Sequence, residues 1–180
     1  MLKRLNIFEI CKDGINAIQG ESKRITFFLI YWLIPIIFAI ILCHFDCFIS
    51  KGISSDIIGG IGLFAGLMFT LLFVVTNSYR TRKEQLSKDE SDENKSYLTR
   101  YNTFAENIVS LISYSIVKAG LIIVFTLAYI SLLTYECNNL SVIFSKICNG
   151  LLIIQLIQFA IIITMILKEM YAMLYDDINK

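Results

Sequence analysis

Apolar residues run in four long blocks along this chain, 25–45, 57–77, 107–134 and 147–167, separated by polar stretches. Each block reaches the ~20 residues that an α-helix needs to cross a hydrocarbon core of about 30 Å. The pattern predicts an all-α polytopic membrane protein. Its single domain, 1–180, is expected to be a four-transmembrane-helix bundle with a helical hairpin, 78–106, between the second and third spans.

Ahead of the first block, Ile7, Ile10, Cys11, Ile15 and Ile18 recur at helical spacing among polar neighbours. They predict an amphipathic helix within 1–22, lying on the inner leaflet or packed on the protein's own cytosolic loop. The mixed polarity of this stretch is unlike a cleavable signal, so the first span is expected to begin uncleaved near 24–25. Pro35, near its centre, removes a backbone hydrogen bond and crowds the preceding turn, which predicts a kink.

The second block carries Gly59, Gly60, Gly62, Ala65 and Gly66, with Gly62 and Gly66 forming GxxxG and Thr70 extending the small face. Small residues four apart let two helix backbones approach closely in lipid. Gly59, Gly62 and Gly66 are therefore candidates for packing, either between subunits or within the chain's own bundle. Beyond the block the chain turns polar through Arg80, Arg82 and Lys83, and 87–96 reads as an exposed turn. Tyr97, Tyr101, Phe104, Ile108 and Leu111 then repeat at four-three spacing, a seam for a partner helix. The hairpin is the largest polar surface, so Arg80, Arg82, Lys83, Tyr97, Tyr101 and Phe104 are the candidate dock for a soluble cytosolic protein.

Composition supports the membrane reading and adds sidedness. The chain has 180 residues, 56% of them hydrophobic, and a net charge of +1, which removes any global signature of direct nucleic-acid binding. Lys and Arg cluster before the first block and in the middle gap, whereas the other two gaps hold only Lys51 and Lys146. By the positive-inside rule both termini and the middle loop are expected in the cytosol of a bacterium, with the spans in its inner membrane.

Candidate chemistry is sparse. Lys118 is the lone Lys, Arg, Asp or Glu in the four blocks. An intramembrane charge is costly and invites a gate or ion-path reading. Tyr114 and Tyr135 as interfacial markers would instead put Lys118 about one turn inside the inner face, where its amine snorkels to headgroups. Gln155 and Gln158 read as interhelical glue. Cys43, Cys47, Cys137 and Cys148 fall at outer helix ends or outer loops, where an oxidising compartment permits disulfides in any of three pairings. His44 is the single histidine, and its cluster with Cys43, Asp46 and Cys47 is too tight for a tetrahedral metal site. No catalytic, cofactor-binding or metal-binding residue is predicted, and the glycines of the second block lack the lysine of a phosphate loop.

Three function classes follow: a non-catalytic scaffold or sensor that oligomerises and recruits a cytosolic partner, a pore-forming membrane effector, and a thiol-disulfide oxidoreductase. The last rests on resemblance. Cys43-His-Phe-Asp-Cys47 with Cys137 and Cys148 resembles the layout of the four-helix quinone-linked oxidoreductases of the bacterial inner membrane. That family carries CxxC in its first outer loop, whereas three residues intervene here.

The four spans, the glycine-rich stretch 59–66 running into Tyr79, Arg80, Thr81, Arg82 and Lys83, and the long hairpin to Tyr101 and Phe104 resemble the KwaA subunits of Kiwa antiphage systems. That resemblance implies a homo-oligomer in the inner membrane that senses infection at the envelope and works with a soluble DNA-binding partner. It carries no residue-level site. The expected partners are the lipid bilayer, further copies of the chain and a soluble cytosolic protein.

Overall fold

The computed structural model describes residues 7–20, 24–45, 47–86, 92–134 and 138–178. Every regular element among them is a helix: α1 (Ile7–Gln19), α2 (Arg24–Phe28), a π-helical turn π1 (Leu29–Leu33), α3 (Ile34–His44), α4 (Lys51–Leu86), α5 (Asp92–Thr134) and α6 (Asn138–Ile178). Four stretches are long and apolar enough to cross a membrane, Ile25–His44, Lys51–Glu84, Tyr97–Leu133 and Phe144–Tyr175.

The helices overrun the apolar blocks because the flanking residues are themselves good helix formers. Arg82, Lys83 and Glu84 carry α4 on past its block, and Lys168, Glu169 and Met170 do the same for α6. α5 likewise begins at Asp92, inside the polar stretch expected as a turn. Residues 87–91 of that stretch lie outside the described residues.

The first span accommodates its proline by a particular device. Pro35 has no N–H, and its ring would meet the carbonyl of the residue four before it. The backbone widens into π1 just ahead of the proline, and the Ile34 N–H reaches back five residues to the Leu29 carbonyl.

α5 carries the longest buried stripe among the described residues. Tyr97, Tyr101, Ala105, Ile108, Ile112, Ser115, Ala119, Ile122, Thr126 and Tyr129 are all buried, and from Tyr101 onward their spacings alternate between four and three. Such a repeat keeps one stripe facing its neighbours. The expected seam is therefore present with one change: Ala105 takes the buried position and Phe104 is half-buried. α4 turns a narrower stripe inward, Ser54, Ile61, Met68 and Val75.

Two compact units arise by contact. The first comprises 1–20, 67–116 and 162–180. In it α1 seats on α5, where a Cβ on Gly14 would overlap the Cβ and Cγ of Tyr114. Ile18 is buried with it, while Ile7 and Phe8 stay exposed. α1 thus packs on the protein itself and still presents an apolar flank. Tyr114 is buried, so its ring faces α1 rather than marking a lipid interface. The second unit comprises 21–66 and 117–161. Its core holds Tyr31, Ala39, Ile61, Ala119, Ile122, Tyr129, Leu152 and Phe159.

Candidate functional site

Within the second unit the polar side chains of the spans find one another. The Lys118 ammonium on α5 donates to Gln158 Oε1 on α6 at 2.8 Å. Gln158 Nε2 in turn donates to the Tyr31 carbonyl in π1 at 3.2 Å. Lysine only donates and a carbonyl only accepts, so one amide joins them in a single orientation. Tyr31 is the residue four before Pro35, whose carbonyl the proline cannot serve. Gln158 supplies a donor to that carbonyl and an acceptor to the intramembrane charge, tying three spans together. It acts as the interhelical glue read from sequence. Gln155 is not placed in the same way: its Oε1 is buried without a hydrogen-bond partner. Lys118 ends on a protein acceptor rather than reaching past the helix ends.

The link between α3 and α4, 47–50, has no regular structure, and side chains from α5 and α6 bind its backbone. Asn149 is fully buried. It accepts from the Ile49 N–H at 3.1 Å and donates to the Cys47 carbonyl at 3.2 Å. The Tyr129 hydroxyl donates to the Ile49 carbonyl at 3.2 Å. These bonds remove the cost of burying unpaired backbone groups. Sequence reading passed over both residues. The signal for Asn149 was there, an amide inside an apolar block, whereas nothing about Tyr129 distinguished it from a packing tyrosine.

Of the four cysteines expected at outer helix ends or loops, Cys43, Cys47 and Cys148 carry free thiols, and Cys137 lies outside the described residues. Cys43 is half-buried with Sγ 4.0 Å from the Lys146 carbonyl, and Cys47 is exposed with Sγ 3.8 Å from the Phe45 carbonyl. Among the described residues no three His, Cys, Asp or Glu side chains gather to hold a metal ion.

The glycines of α4 lie off its buried stripe. Gly59, Gly60, Gly62 and Gly66 are exposed, and a Cβ built on any of them meets nothing within 4 Å. Among the described residues nothing packs where a Cβ on these glycines would stand. Their neighbours Leu63, Leu67, Phe69 and Phe73 are exposed too.

In the first unit, α4 and α5 pair as an antiparallel hairpin through aromatic rings. Tyr79 stacks on Tyr101 with centroids 6.2 Å apart, and Tyr101 on Tyr97 at 6.0 Å. The Arg82 guanidinium lies 5.9 Å over the Tyr97 ring. Tyr97 and Tyr101 are buried in this stack, so of the proposed docking residues they serve the hairpin itself. Arg80 and Lys83 are exposed, Arg80 pairing with Glu84 at 3.4 Å and Lys83 lying over the Tyr79 ring. Phe104 is half-buried.

No family model, curated protein or solved structure matches this chain.

Proposed function

We propose that the chain is a non-catalytic inner-membrane scaffold or sensor that self-associates through α4 and recruits a soluble cytosolic protein through the hairpin. The observation that carries this reading is the uncovered glycine face. A Cβ built on Gly59 or Gly62 meets nothing within 4 Å among the described residues, so these positions give up side-chain volume that no described neighbour needs. Small residues in a membrane helix are useful where another helix comes close, and the occupant in this proposal is α4 of a second copy.

The segregation of Lys and Arg supports placing the hairpin and both termini in the cytosol of a bacterium. There the hairpin offers Arg80 and Lys83 on a framework stiffened by the tyrosine stack. The likeness to KwaA subunits extends the proposal to antiphage defence, with a DNA-binding protein as the recruited partner. The test is mass measurement of the detergent-purified protein, followed by pull-down of cytosolic proteins from cells of its host during infection. A multimer that captures one soluble protein, and loses it on Arg80→Glu with Lys83→Glu, supports the reading. A monomer that captures nothing removes it.

A further inference from the structure

An apolar groove of about 350 Å³ runs between α3 and α6. Ile36 and Ile40 form one wall, Ile147 and Ile154 the other, and Gly150 keeps the space between them open. A Cβ on Gly150 would come within 3.5 Å of the Cys43 Sγ, so a longer side chain there would fill the groove. All these residues lie in stretches apolar enough to span a membrane. The groove therefore sits at the depth of acyl chains rather than of water. At one end the Lys146 stem joins the lining, and its ammonium lies 5.5 Å over the Phe48 ring. Lys146 lies near the start of the last apolar stretch, Phe144–Tyr175, directly before its uncharged block 147–167.

We propose that this groove binds one acyl chain of an anionic phospholipid, with the lipid phosphate held by the Lys146 ammonium. The inference rests on the membrane-spanning reading. An apolar slot takes an acyl chain from any lipid, and the cation at its end selects the charge of the headgroup. Gly150 and Lys146 thus acquire separate roles, room for the chain and preference for the anion. Cys43, beside the slot, acquires a shielded thiol when the chain is in place.

The experiment reconstitutes the full chain into phosphatidylcholine nanodiscs doped with phosphatidylglycerol and releases it for native mass spectrometry. The expected result is retained phosphatidylglycerol in preference to phosphatidylcholine. Lys146→Gln should cut that preference about fivefold, and Gly150→Leu should abolish retention of both lipids with helicity unchanged. Should Gly150→Leu misfold, maleimide modification of Cys43 in the unaltered protein replaces it, read by peptide mass. It should be slower in phosphatidylglycerol than in phosphatidylcholine nanodiscs. Equal retention of the two lipids, an unaltered preference in Lys146→Gln, or equal modification of Cys43 overturns the assignment. Insertion without lipid preference sinks the groove alone, whereas failure to insert at all sinks the membrane reading with it.

Discussion

Two helices of this protein carry small residues along their apolar spans and use them in opposite ways. On α5, Ala105, Ser115, Ala119 and Thr126 are all buried, and Ser115 and Thr126 return their hydroxyls to the helix's own carbonyls at 2.7 Å. On α4, Gly59, Gly60, Gly62 and Gly66 face open space. The apolar window of α4 is 11% buried against 22% for α5 and 33% for α6. Small residues on α5 let the chain's own helices close on it, whereas a Cβ on Gly59, Gly60 or Gly62 of α4 would meet no described neighbour within 4 Å. In a membrane, where lipid is as apolar as leucine, close backbone approach is a main source of helix association. The difference separates a face completed by folding from one that, in the proposed scaffold, a second copy completes.

Tyr101→Ala probes the enclosed side most severely, because it removes both ring contacts of the hairpin. It should cost ~3 kcal/mol of stability, in the range of aromatic-to-alanine losses in cores. Thermal unfolding in detergent checks this, with proteolysis between α4 and α5 as an independent readout. Next comes Ala119→Leu, which forces a larger side chain into the closed seam. A loss of ~1–3 kcal/mol is expected from overpacking. If Ala119→Leu is silent, the seam is looser than its burial implies and the contrast with α4 fails.

Gln158→Leu removes the Gln158 acceptor from the Lys118 ammonium and the Gln158 donor from the Tyr31 carbonyl, at a cost of ~1–3 kcal/mol. Gln158→Glu retains an acceptor for Lys118 but cannot donate to Tyr31 when ionised, so it should fall between wild type and leucine. Combining Gln158→Leu with Lys118→Leu should cost less than the sum of the two single changes, the mark of direct coupling. Strict additivity would break the link. The smallest effect on folding is expected from Gly62→Leu, since the added side chain meets nothing in the chain. Its unfolding midpoint should match wild type.

Much of this architecture was legible in the order of residues. The apolar blocks mark the spans, because length and lack of charge are local properties. The four-three repeat from Tyr97 marks the buried stripe of α5 for the same reason, although Ala105 rather than Phe104 occupies it. The π turn was legible only as a bend, since Pro35 states what backbone bond is lost and not how the helix absorbs the loss. The bond from Gln158 to Tyr31 joins residues 127 positions apart, and the Asn149 clamp on Ile49 spans 100. No local spacing encodes either. The glycine face illustrates the complementary case: GxxxG in sequence states that close approach is possible, and only the surrounding packing tells whether this chain already uses it.

The account stands most directly on the mass of the purified protein in lipid nanodiscs or mild detergent, compared between wild type and Gly62→Leu with Gly66→Leu. The account predicts a wild-type mass that is a multiple of the 20.6 kDa chain. The double variant should fall to a single chain with unchanged helicity. A wild type of one chain, or a variant that keeps the wild-type mass, would contradict it.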